Sequence, residues 1–359
     1  MVKARTLVGL DVHAAKIVAA VLDVETGELR SFRLPGDVLE AAGFCSGLVR
    51  PVRATYEAGP TGYGLAREFE RRGIDCVVCA PGKIPRAPSD RVKTDRRDAE
   101  HLVRLLLAGK LHAVRVPGPA EEALRDLVRA REDVRVDLMR ARHRLSKLLL
   151  RHGIRFEDRA WTARHARWLA ELELEHAAAQ ATLLDYRGAV EVLVHRRGEL
   201  ERQIAAAVPE SEWAPMVARL RCLRGIDTLS AVGLCCEIGD FTRFARPGQL
   251  MSFIGLVPSE DSTGERRRLG SITKTGSRHA RRLLVEAAWQ YRNPPRLGRE
   301  LAERQAGQPS EAIAISWSAQ QRLHRTWRRL ERRGKRRTII AVAVARELAG
   351  FCWAIARTE

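Results

Sequence analysis

The chain has 359 residues, 45% of them hydrophobic, with a formal net charge of +19 and a pI near 10.5. That length fits about two or three domains, and that apolar content excludes wholesale disorder. The sequence has no run of 18 apolar residues, meets an acid early at its N-terminus and scatters its seven cysteines. These features predict no membrane span, no secretory leader and a reducing, cytoplasmic setting, with a polyanion as partner.

Residues 1–115 read as α/β. Positions 7–12 form a short apolar run with the composition of a buried strand. Strands follow at 17–23 and 29–34, joined through Glu25-Thr26-Gly27-Glu28, so the three read as a meander. Two more strands are predicted at 52–57 and 74–80, with a helix over 62–72 between them. A Pro/Gly-rich linker at 81–88 leads to a helix over 95–107, with Thr94 as its N-cap.

Residues 119–207 change character. Apolar side chains recur at steps of three and four from Leu124 to Leu148, and again from Leu169 to Ile204, interrupted by Arg131, His176 and Arg197. A sustained repeat of 3.5 predicts long helices packed as a coiled coil, within the chain or across a dimer. Residues 208–359 read as a third, mostly helical unit. It opens on Leu223-Arg224-Gly225-Ile226-Asp227, which resembles the turn of a helix-hairpin-helix whose amides hold a phosphate. A packed helix is predicted at 337–354.

The basic residues are concentrated. Positions 262–282 carry net +6 and positions 321–337 net +8, fourteen of the nineteen excess charges. Such density suits a phosphate backbone, because each neutralised phosphate releases counterions.

Four carboxylates stand where chemistry is done. Asp11 interrupts the apolar run of the first strand, and Glu57 ends the fourth. Asp95 and Asp98, three apart, share one face of a helix start. A buried Asp needs a partner or a cation, and hard oxygen donors suit Mg²⁺ in phosphodiester chemistry. Taken singly, each has a plainer reading, as a helix-dipole partner or a turn residue.

Gly9-Leu10-Asp11-Val12, Tyr56-Glu57-Ala58 and Lys93-Thr94-Asp95-Arg96-Arg97-Asp98-Ala99 together resemble the D-E-D-D pattern of DEDD insertion-sequence transposases. These are relatives of Piv-type DNA invertases and bridge-RNA-guided recombinases. Gly255-Leu256-Val257-Pro258, Ser262-Thr263-Gly264, Lys274-Thr275-Gly276 and Arg281-Arg282-Leu283-Leu284 extend the resemblance over nearly the whole chain. It implies an RNase H-like, RuvC-type catalytic domain at 1–115, a coiled coil at 119–207 and a mostly α transposase domain at 208–359. It implies Mg²⁺ held by Asp11, Glu57, Asp95 and Asp98, and a serine that forms a transient phosphoserine link to DNA. It also implies a composite site, completed by a partner subunit of a dimer or tetramer.

The partner would be double-stranded DNA, the element ends and the target, with a noncoding guide RNA in some members. The setting would be the nucleoid. Counting back from Lys274 puts the serine at Ser262, whereas counting on from Pro258 puts it at Thr263. Ser262 is preferred because a primary hydroxyl is less hindered. Ser259 and Ser271 are weaker candidates. Arg266, Arg267, Arg268, Lys274, Arg278, Arg281 and Arg282 are the predicted nucleic-acid contacts.

Other features are read plainly. Cys76 and Cys79 form a C-x-x-C on a predicted buried strand and read as core. His13 follows Asp11 by two, which would let it face the same site, but it reads first as a strand-end surface residue; His279 reads as a contact to phosphate or solvent. Trp317, Trp327 and Trp353 read as core in preference to base-stacking residues. No phosphate-binding glycine loop is present. The competing readings are a metal-dependent nuclease of junction-resolvase type with no covalent intermediate, an actin-like sugar kinase, and a non-catalytic nucleic-acid binder.

Overall fold

The computed structural model describes residues 4–85, 94–261, 263 and 268–358. The chain divides into two compact units, Met1–Gly118 and Pro119–Glu359.

The first unit is built on β1 (Thr6–Val12), β2 (Lys16–Asp23), β3 (Leu29–Pro35), α1 (Val38–Ser46), β4 (Val52–Glu57), α2 (Gly64–Arg71), β5 (Asp75–Cys79) and α3 (Asp95–Leu107). The five strands form one sheet in the order β3-β2-β1-β4-β5. β1, β2 and β3 are the antiparallel meander, while β4 and β5 run parallel to β1. Both sheet faces are covered, which is why β1 is apolar at successive positions rather than alternate ones. Val8, Leu10, Ile17, Ala54 and Tyr56 pack with Ala41, Cys45, Leu65 and Phe69 of α1 and α2. On the other face, Leu7 and Ala20 pack with Ala99, Val103 and Leu106 of α3.

The helix α1 was not expected. Its start is marked by Asp37, whose side chain accepts from the Glu40 amide at 2.9 Å. An Asp followed three residues later by Glu is the pattern of a capped helix start, but the helix has only nine residues. Cys76 and Cys79 lie on β5, where the Cys79 thiol bonds the Tyr56 carbonyl inside the sheet, as core residues do.

The second unit comprises α4 (Pro119–Arg151), α5 (Ala163–Glu171), α6 (Ala177–Ala207), α7 (Ala214–Leu220), α8 (Thr228–Ile238), α9 (Pro247–Phe253), the hairpin β6 (Pro258–Glu260) and β7 (Leu269–Ile272), α10 (Arg278–Ala288), α11 (Arg299–Gln305), α12 (Ser310–Arg332) and α13 (Arg337–Ile355). α4 and α6 pair antiparallel within the chain: Leu138 and Leu145 share a core with Leu183 and Val190, while Arg131 bonds Glu201 at the other end. The spacing that continues from 169 to 204 in the sequence is divided between two helices, because α5 ends at Glu171 and α6 starts at Ala177. Leu124, Val128 and Ile204 also join the larger core of α8, α10, α12 and α13.

The turn between α7 and α8 keeps its glycine for packing. Gly225 has φ +83°, and a Cβ there would lie 2.7 Å from the Ala287 carbonyl oxygen. One of the first amides of α8 is already taken, since the Asp227 side chain accepts from the Ser230 amide at 2.7 Å. Among the described residues one helix, Arg337–Ile355, is long and apolar enough by composition to cross a bilayer. The run escapes a search for continuous apolar residues because Arg346 and Glu347 interrupt it. Its Ile340, Val344, Leu348, Cys352 and Ile355 are fully buried in the core.

Candidate active site

The site in the first unit grows from a glycine. Gly9 of β1 faces α3, and a Cβ there would lie 2.3 Å from the Ala99 carbonyl oxygen and 2.8 Å from Val103. Only glycine lets α3 approach the strand this closely. Asp11, two residues on, faces the same side, and α3 enters that side through its N-terminus. Thr94 caps the helix, its hydroxyl accepting from the Arg97 amide at 3.3 Å, as the sequence predicts. Asp95 and Asp98 then lie in the first turn.

Asp11, His13 and Asp95 each offer a ligand atom, all within 4.8 Å of one another. His13 Nε2 is 3.2 Å from Asp11 Oδ2 and 3.9 Å from Asp95 Oδ1. Burial pushes the Asp11 carboxyl above its ordinary range; His13 opposes this, and the charges of Asp95 and Asp98 add to it. The Lys16 ammonium is bonded to Asp95 and holds that carboxyl below the usual range.

Glu57 ends β4, one position beyond Tyr56, which pairs with Leu10 as Asp11 follows Leu10. Asp11 and Glu57 therefore stand at matching ends of neighbouring parallel strands, which lie about 4.8 Å apart. By alternation both belong to the sheet face opposite Leu10 and Tyr56, the face on which α3 packs.

A divalent cation fits the part of the set that converges, two carboxylates and an imidazole from Asp11, Asp95 and His13, while Glu57 and Asp98 stand outside that cluster. Asp11 is half-buried and raised chiefly by burial, and the lysine ammonium already supplies positive charge at Asp95. Lys16 is the member that sequence reasoning passed over, and His13 the one it ranked second to a surface role. The signal was available: His13 is two residues from Asp11, and the β1–β2 turn returns Lys16 beside it, the His13 amide donating to the Lys16 carbonyl at 3.0 Å.

In the second unit, the glycine motifs explain one another. Gly255 has φ +74°, and a Cβ there would lie 2.3 Å from the Thr275 carbonyl oxygen. Gly276 has φ +67°, and its Cβ would lie 2.0 Å from the Phe253 carbonyl oxygen. The loop after α9 and the loop before α10 thus interlock backbone to backbone, and the β6–β7 hairpin stands between them. Ser262, Arg266 and Arg267, in the connection between those strands, lie outside the described residues, as does Lys93 in the first unit. Thr263 is exposed. The Ser259 hydroxyl donates to the Ser271 carbonyl at 3.1 Å across the hairpin.

Two of the predicted nucleic-acid contacts are turned inward. Arg281 donates to the carbonyls of Ile254, Thr275 and Gly276, fastening the interlocked loops. Arg282 grips both carboxylate oxygens of Glu132 on α4, at 3.1 and 2.6 Å, and also bonds Glu286. Arg282 thereby uses all three of its guanidinium nitrogens, whereas the Arg281 bonds all come from Nη1. Lys274 and Arg278 are exposed, Lys274 with φ +57° beside Gly255.

His279 is not a solvent-facing residue. It lies between Glu132, 3.8 Å from Nε2, and Glu237, 3.9 Å from Nδ1, its side chain 14% exposed. Burial pushes the Glu237 carboxyl up, but hydrogen bonds from His279 and Arg129 and the charge of Arg129 outweigh it, leaving it at about 2.

Comparison with known proteins agrees with both halves of this description. Residues 8–154 match a transposase family of DEDD, IS110 type, and residues 217–301 match the transposase IS116/IS110/IS902 family. The chain is 44% identical over 358 residues to a putative transposase, y4qE, of Sinorhizobium fredii, covering 98% of this chain and 88% of that one. It is 34% identical over 346 residues to the transposase for insertion sequence element IS1533 of Leptospira borgpetersenii, covering 93% and 99%. A mixed α/β sheet unit that carries the D-E-D-D residues, followed by a helical region and matched at this identity over nearly its full length, places the chain in the IS110-type family of insertion-sequence transposases.

Proposed function

We propose that this transposase cuts and rejoins DNA strands with Mg²⁺ bound at Asp11, Glu57, Asp95 and Asp98 and with Ser262 as the nucleophile. The observation that carries the metal reading is the convergence of Asp11 and Asp95 across the β1–α3 contact, with the charge of Asp98 acting on the same carboxyl. The strand order β3-β2-β1-β4-β5, a meander followed by parallel strands, supports an RNase H-like, RuvC-type domain at 1–115. The helical arm is then 119–207 and the transposase domain 208–359.

When bound, the cation supplies charge stabilisation at the scissile phosphate. Asp11, half-buried, orients the cage, and His13 holds the Asp11 carboxylate through its ring nitrogen. Lys16 holds Asp95 in its ionised form, the form that would ligate a cation. The Ser262 hydroxyl attacks phosphorus, its proton leaves to solvent or a base, and a strand end departs as a free hydroxyl. The phosphoserine ester keeps the bond energy, and attack by a second strand's hydroxyl restores the serine. Arg266, Arg267, Arg268, Lys274 and Arg278 supply positive charge to the phosphates. Assembly as a dimer or tetramer on double-stranded DNA, within the nucleoid, and guidance by a noncoding RNA rest on the family resemblance.

The test is adduct trapping. Denaturing gels of the protein with Mg²⁺ and a DNA carrying element ends are expected to show a covalent protein–DNA band. Ser262→Ala loses the band, while Thr263→Ala keeps it. Cleavage by Ser262→Ala without any adduct would favour the resolvase-type reading instead, and a band in Asp11→Ala would remove the metal claim.

A further inference from the structure

We propose that the exposed stripe of α12 running from Trp317 to Arg332 is a second nucleic-acid surface, which binds single-stranded DNA by stacking a base on Trp317 and pairing phosphates with Arg325, Arg329 and Arg332. The choice of DNA rests on membership of the transposase family and not on the carboxylate chemistry. The surface lies outside both segments that match the family, 8–154 and 217–301.

The helix repeat supplies the geometry. Positions 317, 321, 325, 329 and 332 follow steps of four and three, so they form one stripe, about 22 Å long at 1.5 Å per residue. The opposite stripe is core: Leu323, Thr326 and Trp327 are buried. α12 is thus anchored on one side, and its other side is free to carry charge.

That charge is left largely uncompensated. Glu347 takes Arg322 at 2.9 Å, and Glu331 takes Arg328 at 2.7 Å. Among the described residues, no carboxylate lies within ion-pair reach of Arg325, Arg329, Arg332 or Arg336, and all four are exposed. Arg336 stands at the N-terminus of α13, where the helix dipole disfavours a cation. Folding gives no reason for it there, whereas a polyanion does.

Trp317 identifies the polyanion as one with open bases. Of the three C-terminal tryptophans singled out in the sequence, Trp327 is 1% exposed and Trp353 donates its indole N–H to the Phe244 carbonyl at 2.7 Å. Trp317 is 44% exposed, with no ring partner among the described residues. A large aromatic held in solvent on an arginine-rich helix face is the usual platform for an unpaired base, because every base has a π-face. A duplex keeps its bases stacked and offers only phosphates. Strand cutting and exchange leaves unpaired DNA in the enzyme's own substrate.

Binding of a fluorescent 20-mer of dT to the full chain, stripped of nucleic acid and held in EDTA, tests this without involving the metal site. Trp317→Ala is expected to weaken dT binding by about tenfold, a typical loss for one stacked base, and to leave affinity for a blunt duplex unchanged. Trp317→Phe restores most of the loss. Arg325→Ala/Arg329→Ala/Arg332→Ala weakens binding and flattens the salt dependence by about two units of log–log slope. All four residues are exposed, and unchanged circular dichroism confirms folding. Unchanged dT affinity in Trp317→Ala overturns the proposal. So does an equal loss for duplex and single strand, which makes the stripe a backbone contact only. A matched RNA 20-mer bound tenfold more tightly than the DNA overturns it in favour of RNA.

Discussion

At the residue scale, Asp11 is where stability and function pull apart. An Asp whose folded pKa lies above its unfolded value destabilises the fold once it ionises, so the penalty is present above the unfolded value and vanishes below it. Asp11→Asn is therefore expected to raise the melting temperature at pH 7 in EDTA and to give no gain at pH 3, while abolishing adduct formation. Calorimetry at the two pH values checks this; a lower melting temperature at pH 7 would mean the carboxylate is structural. Glu237 is the opposite case. Its folded value of about 2, against 4.5 for an unperturbed glutamate, stabilises the helical unit above pH 4.5, and the contribution is lost as pH falls toward 2. Glu237→Gln is expected to cost up to about 3 kcal/mol at pH 7 and to make acid unfolding shallower. Urea titrations at pH 7 and pH 3 measure both.

At the element scale, the approach of α3 to β1 is set by one missing methyl group. Gly9→Ala forces α3 outward or Asp95 off its line with Asp11. It is expected to cost about 1–3 kcal/mol and to lower strand cleavage by at least tenfold, since about 1 Å of misplacement costs that much or more. Normal cleavage by a folded Gly9→Ala would separate the helix approach from the chemistry. This contact also shows what a sequence can and cannot disclose. The strands β1 to β5 and the Thr94 cap are legible because their signals are local: apolar runs, turn residues, a hydroxyl before a helix. The convergence of Asp11 with Asp95, 84 positions apart, is legible only through family resemblance.

His13 was undervalued because an exposed strand-end histidine is commonplace until the hairpin turn sets Lys16 and Asp95 beside it. Arg281 and Arg282 show the complementary limit. Their charge suggested phosphate, but their partners are backbone carbonyls and a glutamate on α4, none of them near in sequence. The interruption of the helix between α5 and α6 was hidden because the apolar spacing happens to continue through the loop.

At the scale of the whole molecule, two compact units make independent behaviour the expectation. Residues 1–118, expressed alone, are expected to fold around their own sheet and to gain melting temperature on adding Mg²⁺; Asp11→Asn in the same fragment gains none. Thermal scans with and without the ion decide it, and a fragment that is unfolded would show that the sheet needs the helical unit. The charge distribution is also a whole-molecule property. Fourteen of nineteen excess charges lie in two C-terminal segments, so nucleic-acid affinity should fall steeply with salt for the full chain and far less for residues 1–118.

The burial of α13 has a consequence for how the protein is made. This helix comes after every other contributor to the large helical core in chain order, yet Ile340, Val344 and Leu348 sit at the centre of that core. During synthesis α8, α10 and α12 emerge with their apolar faces uncovered and must wait for it. The sheet unit has by then long been complete. The large helical core therefore stays open until α13 has been made, and over that interval its uncovered apolar faces are exposed to aggregation.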